Sequence, residues 1–187
     1  MSTKINVLGI VKAHLMTLRD HSAGRISLVD WSVFFICPLL IGVVVYLSLI
    51  PLTESLVAAL INAAAILLGL LLNLLILMFD QRTKVKDLLD KLQRPQANVD
   101  ARRIRHVELR RNVIDESVAN ISFAVLLCLC SLVSLLVFTM AAKTGAGSRM
   151  ESFVYAMNAF IWINVMLTIL MVIKRVYALF SSVDRAG

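Results

Sequence analysis

The stretch "DQRTKVKDLLDKLQRPQANVDARRIRHVELRRNVIDE", residues 80–116, holds ten of the chain's 19 Lys and Arg and seven of its 12 Asp and Glu. On both sides of it the sequence turns apolar. Four windows, 31–50, 56–79, 118–142 and 153–173, contain no Lys, Arg, Asp, Glu or His. Each meets the ~20 residues a helix needs to cross ~30 Å of hydrocarbon. The hydrophobic share of the 187 residues is 59% and the mean hydropathy +0.85, where soluble proteins have roughly 45–50% apolar residues. Segregation of that excess into long runs predicts an all-α integral membrane protein with four transmembrane helices.

The charged stretch is itself periodic. Val85, Leu88, Leu89 and Leu92 recur at helical spacing before Arg94-Pro95-Gln96-Ala97-Asn98, and Ile104, Val107, Ile114 and Val118 do so after it. Proline cannot continue a helix there. The spacing therefore predicts a helical hairpin that extends spans two and three as a stalk with its apolar stripes sealed together.

Lys and Arg in short flanking segments set orientation. Four lie in the N-terminal segment, ten in the middle stretch and three in the C-terminal tail, against Lys143 and Arg149 alone in the other two connections. Seventeen against two places both termini and the stalk in the cytoplasm. The chain then divides into a cytoplasmic amphipathic helix and linker (1–30), spans one and two (31–79), the stalk (80–117), spans three and four (118–173) and a cytoplasmic tail (174–187). No cleavable leader is expected, so the first span would act as a signal anchor. In the N-terminal helix Ile5, Leu8, Val11 and Leu15 share a face, suited to the lipid interface or to packing on the stalk or a neighbouring subunit. Outside, Pro51-Leu52-Thr53-Glu54-Ser55 makes a tight turn in which Thr53 or Ser55 can cap span two.

Little in the sequence suggests catalysis. His14, His21 and His106 have no partners at metal or triad spacing, and no phosphate or dinucleotide loop is present. Cys37, Cys128 and Cys130 fall inside spans and read as apolar thiols. The expectation is a protein that is not an enzyme and needs no cofactor or metal. The spans also lack the buried carboxylate on which proton-coupled exporters depend.

Three groups of residues remain as candidate sites. Arg102, Arg103 and Arg105, toward the stalk tip, are candidates for binding a cytosolic protein; Arg110 and Arg111, nearer span three, for anionic headgroups. Direct nucleic-acid binding is not expected, because no aromatic residue for base stacking lies between Asp80 and Ser122. Asn62, Asn73, Asn120, Asn158 and Asn164 serve intramembrane packing or a pore. On span two Ala58, Asn62, Ala65, Gly69 and Asn73 draw one small and polar stripe; on span three Ser117, Asn120, Ala124, Cys128 and Ser131 draw another. The plainer expectation is that the two spans pack along these stripes. The alternative is that the amides face a pore or a subunit interface of a homo-oligomer.

The layout, carried by "NAAAILLGLLLNLLILMFDQRTKVKDLLDKL" (62–92) and "ARRIRHVELRRNVIDESVANISFAV" (101–125), resembles the KwaA family, membrane subunits of the bacterial Kiwa anti-phage system. The resemblance implies a homo-oligomeric inner-membrane sensor that recruits a cytosolic, DNA-binding partner subunit. From the residues alone, the expectation is a multispan scaffold presenting a stalk to a soluble partner. Its rivals are an oligomeric pore-forming effector and a small-molecule transporter.

Overall fold

In the computed structural model, the described residues are 7–17, 31–48, 53–93, 101–142 and 148–184. The ends 1–6 and 185–187, the linker 18–30, the connections 49–52 and 143–147, and the Arg94–Pro95 break within 94–100 lie outside them. Among the described residues the structure is helical with no strand. The helices are α1 (Val7–Thr17), α2 (Ser32–Leu47), α3 (Glu54–Leu92), α4 (Ala101–Ala142) and α5 (Ser148–Asp184). Three are long and apolar enough to cross a membrane: α3, the Arg102–Ala141 part of α4 and the Arg149–Tyr177 part of α5.

Helix α2 is shorter than the 20-residue window that the sequence suggested, and Pro38 shapes its start. Its first five residues, Ser32–Ile36, form a wide π turn in which the Cys37 N–H bonds the Ser32 carbonyl. A proline ring in a regular helix collides with the carbonyl four residues back and leaves it without a donor. One residue of slack, inserted just ahead of Pro38, relieves that collision. Thr53, at φ −69° and ψ 149°, takes the N-cap of α3 by accepting a 3.4 Å hydrogen bond from the Leu56 N–H.

The 39 residues of α3 and 42 of α4 span about 58 and 63 Å at ~1.5 Å per residue. They pack along matching seven-residue seams. Val57, Ala64, Leu71 and Val85 are buried on α3, with Met78 half-buried in the same series; Val107, Ile114, Ile121, Cys128 and Leu135 are buried on α4. The seam continues past the apolar windows: Val85, Leu89, Val107 and Ile114 form a cluster flanked by Leu92, Ile104 and Val118. A repeat of seven keeps two long helices in contact over many turns.

The seam corrects the expectation for span two. Ala58, Asn62, Ala65, Gly69 and Asn73 are all exposed. At ~100° per residue, Asn62 and Asn73 lie about 160° around α3 from the Ala64–Leu71 seam. Their stripe ends at Asn73, whereas the seam runs from Val57 to Leu89 and buries aliphatic surface over the full length of the pair. Continuous burial outweighs the close approach that small residues offer. The α4 stripe is buried as its composition suggests, but Asn120 faces α1 and Ser131 faces α5.

The helices form a row. Helix α3 packs on α4, α4 on α5, and α5 on α2, while α1 lies against α4. One core joins α3, α4 and α5 around Leu71, Ile121, Cys128, Ile161 and Val165. A second, around Val57, Leu135, Phe138 and Val154, closes the end near Thr53.

Candidate functional site

The charged side chains that find one another gather where the apolar windows end. Asp115 and Glu116 are adjacent on α4 and reach opposite neighbours. Arg82 of α3 meets Asp115 at 2.6 Å, and Arg175 of α5 meets Glu116 at 2.6 Å. Asp80–Lys84 at 2.6 Å and Arg111–Asp115 at 3.8 Å extend the group. Positions 80, 116 and 174, where charge resumes on the three helices, therefore stand at one level. The Arg82–Asp115 pair is half open to solvent, and exposed pairs add only ~0–1 kcal/mol. The Arg175–Glu116 pair, with side chains 19% and 23% exposed, is better shielded.

Helix α1 docks on this collar through His14, which is 2% exposed. Its Nδ1 lies 2.8 Å from Asn120 Oδ1. A carboxamide oxygen only accepts, so neutral His14 carries its proton on Nδ1. The ring stacks on Phe123 at 4.0 Å and 9°, and meets Phe34 of α2 edge-on at 5.9 Å. The Thr17 hydroxyl lies within hydrogen-bond reach of both the His14 carbonyl (2.7 Å) and Asn120 Oδ1 (2.8 Å). Arg175 Nη2 donates to the Thr17 carbonyl at 2.8 Å, tying the last turn of α1 to α5. Asn120 Nδ2 is buried and finds no hydrogen-bond partner among the described residues. Such a donor costs ~1–3 kcal/mol, so the junction is not fully satisfied.

Burial holds the His14 pKa below its usual 6.5, because desolvation disfavours the imidazolium. The hydrogen bond to Asn120 opposes that shift, and the Arg175 charge adds to it. The junction is thus a clasp of His14, Thr17, Glu116, Asn120 and Arg175 drawn from three helices. It offers no nucleophile beside a base. Among the described residues no group of three or more His, Cys, Asp or Glu is placed to hold a metal.

Sequence reasoning passed over His14 and Arg175. Of the face that the α1 pattern singled out, Leu8 and Leu15 are exposed, Val11 is half-buried and Ile5 lies outside the described residues, and His14 is the residue α1 buries. A usable signal existed: the third-span stripe contains Asn120, an amide that needs a polar partner at its own depth, and His14 with Thr17 offers two groups one turn apart.

The other candidate residues are scattered. Asn158 is buried and fully engaged: Oδ1 accepts from Ser131 at 2.7 Å, and Nδ2 donates to the Val154 carbonyl (3.0 Å) and the Ser134 hydroxyl (3.1 Å). Asn164 is buried and donates to the Phe160 carbonyl of its own helix at 3.0 Å. Asn62 and Asn73 point outward on α3, remote from these three amides. Arg102, Arg103, Arg105, Arg110 and Arg111 are exposed along the first part of α4.

Compared with models of known protein families, with curated proteins and with solved structures, the chain matches none.

Proposed function

We propose that the chain is a four-span inner-membrane scaffold or sensor subunit without catalytic activity, with both termini cytoplasmic. It presents the extended α3–α4 pair as a stalk to a soluble partner. The observation that carries this reading is the allocation of charge. Seventeen of 19 Lys and Arg fall in segments that share one side of a four-span chain, and α3, α4 and α5 change from apolar to charged at one level, joined by Arg82–Asp115 and Arg175–Glu116. Beyond that level α3 and α4 keep their own apolar seam, so the projection is stiff. Arg102, Arg103 and Arg105 are exposed toward its end, where guanidinium groups suit a desolvated protein contact. Arg110 and Arg111 lie nearer the span, within reach of anionic headgroups worth ~1 kcal/mol each.

In keeping with the resemblance to the KwaA family, the partner is a cytosolic, DNA-binding subunit that acts against invading phage DNA. Changing Arg102, Arg103 and Arg105 together to Glu is expected to abolish co-purification of the partner while membrane insertion persists. Partner binding that survived the triple change would remove the role assigned to the stalk. A defence gene beside the coding sequence would support the same reading.

A second reading, an oligomeric pore-forming effector, draws on Asn62 and Asn73. Both are exposed in the apolar part of α3, where an amide gains by meeting another polar group across a helix interface. A homo-oligomer in which these faces meet would satisfy them. Changing both to Leu should lower the mass of the intact assembly in mild detergent; vesicle leakage altered by the same change would favour the pore over the scaffold.

A further inference from the structure

Helix α2 approaches α5 closely at Gly42. A Cβ on Gly42 would stand 3.3 Å from the Ala156 carbonyl oxygen and 3.8 Å from Phe160 Cβ. Beside this contact the two helices leave an open groove of about 400 Å³, lined by Leu39, Val43, Tyr46, Phe153, Met157 and Phe160. On α5 the series Arg149, Phe153, Ala156, Met157 and Phe160 recurs at spacings of four, three, one and three, which places it on one helical face. Arg149 is exposed and heads that face one turn above Phe153. Glu151, the nearest acid on α5, is two positions on and so about 160° around the helix.

From Arg149 to Phe160 the face runs about 16 Å at ~1.5 Å per residue, close to half of the ~30 Å hydrocarbon thickness. An apolar channel one leaflet deep and headed by a cation matches a molecule with an acyl chain below a phosphate. Its volume falls in the range of small-ligand sites, roughly 300–1,000 Å³.

We propose that the α2–α5 groove holds one phospholipid of the leaflet opposite the polar collar. Its acyl chain lies along Leu39, Val43, Met157 and Phe160, and its phosphate sits against Arg149. The assignment rests on the reading that these helices span a membrane. A single guanidinium makes a lipid of net negative charge the preferred occupant, by about fivefold.

Full-length protein is reconstituted with phosphatidylglycerol or phosphatidylcholine of identical chains, extracted in mild detergent and weighed intact by native mass spectrometry. One retained lipid per chain is expected, with phosphatidylglycerol favoured. Arg149→Gln should remove about fivefold of that preference, and Val43→Trp should empty the groove of both lipids. Leu39→Trp, deeper in the groove, repeats the blocking test should Val43→Trp fail to fold. Lipid retention unchanged by either tryptophan, a preference untouched by Arg149→Gln, or no retained lipid would overturn the proposal. So would a second copy of the chain displaced by Val43→Trp. Liposome flotation separates the two readings: a chain that fails to float refutes the membrane span itself, and one that floats without lipid in the groove refutes the groove alone.

Discussion

Acidification should release α1 from the collar, and the size of the effect follows from His14. Undocked, the imidazole titrates near 6.5; docked, burial and the Arg175 charge hold it lower. A base whose proton affinity falls on docking binds more protons in the undocked state. Docking is therefore strongest above about pH 6.5 and weakens as pH falls below it. Between pH 7.5 and 5.5 the ratio of docked to undocked α1 should fall by at most about tenfold, or ~1.4 kcal/mol. That ceiling is reached if the docked ring stays neutral throughout. Hydrogen exchange of residues 7–17 in lipid nanodiscs, corrected for intrinsic rates, reads the ratio directly. Glu116 of α4 and Arg175 of α5 also face the junction, so a control must retain both. His14→Phe keeps an aromatic ring against Phe123 and removes the titrating group. The variant should lose the pH dependence while the wild type shows it. Equal loosening of both proteins on acidification would refute the assignment to His14, and no loosening of either would refute the clasp.

Arg175→Gln should remove the 2.6 Å contact to Glu116 and the charged donor to the Thr17 carbonyl, at a cost of ~1.5–3 kcal/mol for hydrogen bonds to a charged group; increased proteolysis near residue 17 at neutral pH would report it. Ser131→Ala and Asn158→Leu should couple by about 0.6–1.7 kcal/mol in a double-mutant cycle, measured by unfolding in mixed micelles; strict additivity would deny that the 2.7 Å contact contributes. Pro38→Ala should let the wide turn revert to regular helix, rotating 31–36 by about 100° and withdrawing Phe34 from His14. A cross-link between cysteines placed at 34 and 14 in a background free of native cysteine would then form less readily than with Pro38 present.

Much of the helical layout was legible because charge and apolarity alternate in long blocks. The absence of charge over 56–79, 118–142 and 153–173 foretold the three long apolar helices, and the Val85 and Ile114 series foretold contact beyond them. Less could be read where two faces competed. Ala58, Asn62, Ala65 and Gly69 have the composition of a packing stripe, yet the seven-residue seam through Val57, Ala64 and Leu71 runs farther and decides the contact. The clasp was hidden for a different reason: it draws on 14–17, 116–120 and 175, stretches more than 50 residues apart in sequence, and the pairing of His14 and Thr17 with Asn120 across that distance leaves no local spacing to read. The wide turn at Ser32–Ile36 had a visible cause in Pro38, but a proline inside a short apolar run signals disruption without saying which form it takes.

The order of the row has a bearing on biogenesis. Helices α2 and α3 are neighbours in the chain but pack on α5 and α4 respectively, so among the described residues each has its main partner later in the sequence than both. Helix α3 can dock as soon as α4 is made. Helix α2 must wait for α5, where Gly42 meets Ala156 and Phe160. Until α5 is made α2 lacks its main packing surface, so a chain truncated before residue 148 should be degraded rather than accumulate.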